Sequence, residues 1–89
     1  MKAVAVRVSG MVQGVCYRAS ARREGERLRL RGWVRNVSDG GVALHLQGHP
    51  AVVDAMLGWC RVGPPAARVS RVEVGDAEPD ESLCGFEVR

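Results

Sequence analysis

Aromatic residues are scarce in this sequence, and long apolar segments are missing from it. Only 4 % of its 89 residues are Phe, Trp or Tyr, whereas modules that stack single-stranded bases on a sheet depend on such side chains. No apolar run approaches the ~18 residues that cross a bilayer, and the first residues lack the apolar segment of a secretory signal. We therefore expect a cytoplasmic protein with no membrane and no nucleic-acid partner.

Cysteine and histidine are also few, and their spacing forms no metal-binding motif. Cys16, Cys60 and Cys84 share no CxxC or CxxH spacing, and an odd number of cysteines argues against a disulfide framework. The two histidines do not form an HExxH motif. The sequence predicts free thiols in a reducing compartment, and it offers no obvious ligand set for a metal.

The composition is that of a small globular protein with a mild excess of positive charge. Hydrophobic residues make up 46 % and charged residues 26 % of the chain, values that are ordinary for soluble domains. A chain of this length can form one two-layer core without disulfide bonds, so we expect a single domain over residues 1–89 and a monomer. The net charge of +3 favours anionic partners without identifying them.

Alternation and helix-forming residues predict the first two elements. Ala3–Ser9 alternates valines with small or charged residues, which is typical of a half-buried strand. After the glycine-containing segment 10–16, a helix is predicted from residue 17 or 18 to residue 30, and Gly32 is expected to end it. Its core-facing positions are Ala21, Gly25 and Leu28. Gly25 predicts close packing of this helix against the sheet.

A hairpin and a second helix are predicted in the middle of the chain. Trp33–Val37 and Val42–Gln47 are predicted strands on either side of a Ser-Asp-Gly-Gly turn, in which glycine accepts positive φ. His45 is expected on the surface of the sheet. The second helix begins near Pro50, and the segment 63–65, Gly-Pro-Pro, prevents its continuation.

Two more strands complete the predicted sheet. Val69, Val72 and Val74 lie in a fourth strand, and the change of parity between Val69 and Val72 indicates a bulge. After a polar turn at 76–82, residues 83–88 return as a short strand. The order is βαββαβ with a small extra strand. It predicts an α+β, ferredoxin-like sandwich: one antiparallel sheet of four or five strands with two helices on one face.

This topology has a consequence for the site. In the split βαβ arrangement, strands one and two run parallel on either side of strand three. Their carboxyl ends then lie at one edge of the sheet, roughly 10 Å apart. We therefore expect the loop after strand one to face the end of strand two.

The segment between the first strand and the first helix combines glycines with a helix N-terminus. Gly10 and Gly14 permit turns that point backbone N–H groups inward, and the helix dipole adds partial positive charge. Arg18 lies in the first helical turn, where the dipole disfavours a cation unless the guanidinium binds an anion there. These features are compatible with an anion site and also with a tight loop beside a surface arginine.

Asn36 lies near the end of the second predicted strand, at the edge of the sheet that carries this loop. A neutral carboxamide donates and accepts hydrogen bonds at once, which suits the orientation of a water molecule. An asparagine beside a turn also commonly satisfies neighbouring backbone groups. The position alone leaves both interpretations open.

Two long segments of the chain resemble the signatures of the acylphosphatase family. Residues 8–18, VSGMVQGVCYR, resemble the first signature, and residues 32–42, GWVRNVSDGGV, followed by Gly48, resemble the second. The stretch 59–69 is similar to the family's segment after its second helix, so the resemblance covers essentially the whole chain. Tyr17 departs from the family's usual Phe or Met, and Cys16 occupies a variable position.

The resemblance implies hydrolysis of acyl phosphates to a carboxylate and inorganic phosphate, with no metal, no cofactor and no covalent enzyme intermediate. It implies two catalytic residues: Arg18 binds the phosphate, and Asn36 holds the attacking water. Backbone amides of the loop complete the phosphate site, namely those of Val12, Gln13, Gly14, Val15, Cys16, Tyr17 and Arg18. The implied partner is a small-molecule acyl phosphate, with inorganic phosphate as a product.

Other functions remain as alternatives. A thiolate nucleophile at Cys16 is disfavoured because Arg18 follows only two residues later, too soon for a Cys-x5-Arg phosphate loop. A non-catalytic anion-binding module would use the same loop. An RNA-binding module shares the βαββαβ order, and residues 31–34 resemble part of its motif, but Trp33 would be its sole base-stacking residue on the central strands.

Overall fold

The computed structural model describes residues 1–89, which form five strands and two helices. The elements are β1 (Lys2–Met11), α1 (Tyr17–Arg27), β2 (Arg31–Asn36), β3 (Val42–Gly48), α2 (Pro50–Cys60), β4 (Arg68–Asp76) and β5 (Phe86–Val88). The strands form one sheet in the order β4-β1-β3-β2-β5. Neither helix is long and apolar enough to span a bilayer. The α+β, ferredoxin-like fold is confirmed.

The central strand β3 determines which strand ends meet. Both β1 and β2 pair antiparallel with β3, so they run parallel to each other and end at the same edge of the sheet. At that edge Val42 is paired with Val8 on one side and with Asn36 on the other. The predicted meeting of the first loop with the end of strand two is therefore confirmed.

One part of the predicted sheet differs. Four strands are antiparallel as expected, but β5 joins the edge parallel to β2, which makes the sheet mixed. The chain leaves β4 at one edge and must cross the whole sheet before it reaches β5 at the other edge. Because β4 ends beside the start of β1, the chain reaches β5 at the end of the sheet where β2 begins. The strand β5 therefore runs parallel to β2.

Both helices cover one face of the sheet. Val4, Val6 and Val8 of β1 point toward them and are at most 3 % exposed. These valines belong to one cluster with Ala21 of α1 and Met56 of α2. Burial of this apolar surface supplies the main stabilising term of the fold. It also holds the N-terminus of α1 near the place where β1 and β2 end.

Helix α1 ends at Arg27, earlier than predicted. Arg29 adopts the left-handed conformation, with φ of 57°. The N–H of Leu30 then donates to the carbonyl of Gly25 at 2.9 Å, and the N–H of Arg29 donates to that of Glu26 at 3.0 Å. This is the hydrogen-bond pattern that closes a helix through a left-handed residue, and here an arginine takes the position that glycine usually fills.

Gly32 does not end the helix, because it lies inside β2. A Cβ atom there would collide with the carbonyl oxygen of His45 and approach the Phe86 ring. A Cβ at Gly25 would collide with the same ring. The close helix–sheet packing predicted for Gly25 is thus confirmed, and the packing partner is Phe86 of β5.

The predicted bulge in β4 is confirmed. Ser9 pairs with Arg71 while Gly10 pairs with Val69, so Ser70 is the extra residue. A bulge of this kind increases the local twist and bends the strand. It lies opposite the end of β1, where the loop begins.

The face opposite the helices is less exposed than predicted. The β4–β5 connection crosses this face, and the backbone of Asp80 exchanges two hydrogen bonds with the Gln47 side chain, at 2.7 and 3.0 Å. Gln47 is 1 % and His45 is 8 % exposed. The prediction that His45 lies on the surface is wrong, because a segment without regular structure covers part of the sheet.

Candidate active site

The segment between β1 and α1 turns through two left-handed residues, Gly14 with φ of 74° and Cys16 with φ of 64°. None of the backbone N–H groups from Gln13 to Cys16 donates a hydrogen bond within the chain. The first turn of α1 adds N–H groups that have no carbonyl partner inside the helix. Successive unpaired N–H groups in such a turn form a concave site for an anion.

Arg18 lies in the first turn of α1 and is half-buried. The six ion pairs of the chain all involve other residues, and the first turn contains no acidic residue. A guanidinium at the positive end of a helix is disfavoured by the dipole. An anion bound between the two would stabilise both, which favours a phosphate here.

Asn36 contains the single buried side-chain oxygen or nitrogen of the chain that has no hydrogen-bond partner, its Oδ1. Buried polar groups are normally paired, and leaving one unpaired costs about 1–3 kcal/mol. The two ends of a carboxamide have nearly the same shape. A half-turn about the last side-chain bond therefore presents either end to a neighbouring ligand.

A cavity of about 210 Å³ brings these groups together. Its lining residues are Val12, Gly14, Cys16, Tyr17, Arg18, Ala19, Asn36 and Val88. Pockets for organic ligands usually measure about 300–1,000 Å³, so this volume suits a smaller group. Arg18 and Asn36, chosen from two separate segments of the sequence, thus lie on one cavity.

Gln13 and Val15 are predicted loop residues that do not line this cavity. The side chain of Val15 packs against the core. The side chain of Gln13 donates to the carbonyls of Val37 at 2.7 Å and Gly41 at 2.8 Å. What both residues can offer to a bound anion is their backbone N–H.

Tyr17 fixes the start of α1 against the end of α2. Its hydroxyl donates to the carbonyl of Cys60 at 2.8 Å, one of the last carbonyls of α2, which have no partner inside the helix. Its ring centre lies 5.2 Å from that of Trp59. Burial raises the pKa of the Tyr17 phenol well above its ordinary value, so the hydroxyl remains a donor. The hydroxyl that distinguishes Tyr17 from Phe therefore has a structural partner.

Val88 lines the cavity, although no motif in the sequence points to it. The parallel pairing of β5 places Val88 beside Val34, two residues before Asn36. Its side chain is partly exposed, at 42 %. Its position depends on how β5 joins the sheet, and no local pattern in the sequence indicates this.

Comparisons with known proteins agree on one family. Residues 4–88 match the acylphosphatase family profile. The acylphosphatase of Methylococcus capsulatus is 57 % identical over 88 residues, which cover 99 % of this chain and 96 % of that protein. The acylphosphatase of Anaeromyxobacter dehalogenans is 52 % identical over 82 residues, or 92 % and 88 % of the two chains.

A solved structure gives the same answer at the level of the fold. The structure of an acylphosphatase from Coxiella burnetii has a TM-score of 0.93 at 39 % identity, covering 99 % of this chain and 92 % of that one. The ferredoxin-like fold and these matches together define a small hydrolase of phosphate compounds. The chain belongs to the acylphosphatase family, and it hydrolyses acyl phosphates to a carboxylate and inorganic phosphate.

Proposed function

We propose that Arg18 and the backbone N–H groups of residues 12–18 hold the phosphoryl group, and that Asn36 orients the attacking water. The observation that carries this proposal is the buried Asn36 Oδ1, which has no partner in the chain and belongs to a residue of the Arg18 cavity. An amide oxygen that accepts a hydrogen bond from a water leaves a lone pair of that water free to attack.

The reaction proceeds by displacement at phosphorus. The water oxygen forms a bond to phosphorus, and the bond from phosphorus to the acyl oxygen breaks. The carboxylate leaves with that electron pair, and a phosphoryl oxygen of the substrate accepts the proton of the water. No side-chain base is required because a carboxylate is a good leaving group. Fixed donors stabilise the charge that develops on the phosphoryl oxygens.

The same arrangement supports hydrolysis without a bound metal. No three His, Cys, Asp or Glu side chains lie close enough together to hold a cation, and the loop supplies its positive potential through N–H groups and Arg18. We further propose that residues 1–89 act as one unit, as a cytoplasmic monomer. The free Cys16, Cys60 and Cys84 are consistent with a reducing compartment.

The sheet face argues against a nucleic-acid partner. Trp33 is the aromatic residue of the central strands, and its ring is already in contact with other side chains. The guanidinium carbons of Arg35 and Arg89 lie 5.5 and 5.3 Å from its centre, and His45 stacks at 6.2 Å. Base stacking requires a free aromatic face.

Hydrolysis of benzoyl phosphate in excess EDTA tests these roles. Arg18→Ala and Asn36→Ala should each lower kcat by about 10²–10³-fold, with the fold intact by circular dichroism. Arg23→Ala is the matched control, because it removes an exposed arginine of the same helix. Near-normal turnover by Asn36→Ala would overturn the role of Asn36. Loss of parental turnover in EDTA would overturn metal independence.

A further inference from the structure

The side chain of Gln13 forms the hydrogen-bond link between the phosphate loop, residues 12–18, and the hairpin turn, residues 37–41. Its Nε2 donates to the Val37 carbonyl at 2.7 Å and to the Gly41 carbonyl at 2.8 Å. A carboxamide nitrogen has two hydrogens, so these two bonds use its whole donor capacity. The bonds join segments 24 and 28 residues apart in the chain.

The two accepting carbonyls belong to the turn that follows Asn36 directly. Within the turn, the N–H of Val37 donates to Gly41 at 3.0 Å, and the N–H of Gly40 donates to Val37 at 3.2 Å. Gln13 completes this network from the side of the loop. Asn36 Oδ1 has no hydrogen bond of its own in the chain, so the position of its carboxamide depends on the backbone that carries it.

We propose that Gln13 is a positioning residue that sets the distance between the bound phosphoryl group and the attacking water. The inference rests on the roles proposed for Arg18 and Asn36. These two residues lie on separate elements, α1 and β2, and no ion pair joins the loop to the turn. A misplacement of about 1 Å between reacting groups can cost ~10²-fold in rate.

The variant Gln13→Met tests the link. Methionine keeps the backbone N–H and a side chain of similar length but has no donor. We expect kcat to fall by about 10- to 100-fold, while the inhibition constant of inorganic phosphate changes little, because the loop amides and Arg18 remain. The matched control is Gln47→Met, the same change in a glutamine bonded to the remote Asp80 backbone, for which we expect the parental kcat.

A pH profile separates hydrogen bonding from general loosening of the loop. In Gln13→Glu, an ionised carboxylate faces two carbonyl oxygens and has nothing to donate. The protonated carboxyl supplies one O–H donor. Relative to the parent, the kcat of Gln13→Glu should therefore recover as pH falls through the pKa of this carboxyl, whereas Gln13→Met should show no recovery. The same profile for both variants would contradict the proposal.

A double-mutant cycle identifies the residue through which Gln13 acts. If Gln13 positions Asn36, Gln13→Met should lower kcat strongly in the parent and little in the Asn36→Ala background. An equal loss in both backgrounds would overturn the inference and leave the proposed function intact. Normal turnover by Asn36→Ala alone would overturn both.

Discussion

Gln13, in the loop after β1, and Gln47, near the end of the central strand β3, lie at opposite ends of the strands, and their surroundings differ in one respect. Each carboxamide is bonded to the backbone of a distant segment: Gln13 to the hairpin turn, and Gln47 to Asp80 in the β4–β5 connection. Around Gln47, the polar groups satisfy one another. Around Gln13, the Oδ1 of Asn36 and the backbone N–H groups of the loop have no partner in the chain.

The orientation of Gln47 fixes that of its neighbour. Asp80 accepts from Nε2 of Gln47 and donates to its Oε1, so this Oε1 also accepts from Nε2 of His45, at 2.7 Å. The Nε2 of His45 must then carry a hydrogen, because an amide oxygen only accepts. A network closed in this way holds the β4–β5 connection on the sheet and leaves little capacity for a ligand at these groups.

The comparison teaches how to separate structural from functional polar groups in a small protein. Buried polar atoms stabilise a fold only when they are paired, and an unpaired one lowers stability. Asn36 keeps such an atom on the cavity that Arg18 also lines, and on the roles proposed above the bound substrate and its attacking water remove this cost. Substitutions of polar groups around Gln13 and around Gln47 should therefore have opposite consequences for stability and for activity.

The largest expected effect is the loss of activity in Asn36→Leu, at the cavity beside the phosphate loop. Leucine has a similar shape and no polar atoms, so it removes the unpaired Oδ1 together with the proposed water contact. We expect kcat to fall by about 10²–10³-fold, while the free energy of unfolding stays the same or rises by about 1 kcal/mol. Urea denaturation and benzoyl phosphate hydrolysis measure the two quantities on the same sample. A clearly destabilised Asn36→Leu would assign Asn36 to the scaffold.

The opposite result is expected for Gln47→Met. This change leaves the N–H and carbonyl of Asp80 and the Nε2 of His45 without their partner, and Gln47 is 1 % exposed. The free energy of unfolding should fall by about 2 kcal/mol or more, with kcat unchanged. Because Gln13 is exposed, Gln13→Met should lose less stability than Gln47→Met and more activity. If both variants lost mainly stability, or both lost mainly activity, the contrast between the surroundings of Gln13 and Gln47 would not hold.

The part of the site that could be predicted depends on the order of the helices and strands along the chain and on how the strands pair. The topology predicts that the loop after β1 faces the end of β2, because both strands pair antiparallel with β3. The roles of Arg18 and Asn36 are implied by the resemblance of residues 8–18 and 32–42 to the family signatures. The position of β1 could be predicted because its apolar residues alternate, and that of β2 because a Ser-Asp-Gly-Gly turn follows it. The predicted end of α1 was wrong because Arg29 adopts the left-handed conformation without being glycine.

Other features depend on contacts that no local pattern carries. The link from Gln13 joins residues 24 and 28 positions apart, and its side chain looks like any surface glutamine in the sequence. Val88 reaches the cavity because β5 adds in parallel. His45 is buried because the β4–β5 connection crosses its face. Each case depends on the path of an irregular or edge segment, which periodicity does not predict.

The smallest expected effect is a change in how stability depends on pH, and it concerns the buried thiol of Cys60. Cys16 lies exposed on the loop, whereas Cys60 is buried at the end of α2. Burial raises the pKa of the Cys60 thiol to about 11, compared with about 8.5 for an unfolded chain. The folded state therefore holds this proton more tightly. The corresponding stability is fully present below pH ~8.5 and is lost as pH rises toward the folded pKa.

Between pH 8.5 and 10, this linkage should lower the free energy of unfolding by about 2 kcal/mol. In Cys60→Ala the decline over that range should be shallower by the same amount, although the variant is less stable at neutral pH because it leaves a small void. Cys84→Ala, which removes an exposed thiol, should keep the parental slope. Measurements below pH 10 keep the Tyr17 phenol protonated in the folded state, because burial raises its pKa. Equal slopes in the parent and in Cys60→Ala would show that the buried thiol ionises as readily as one in solvent, and that the interior behind Tyr17 is open to water.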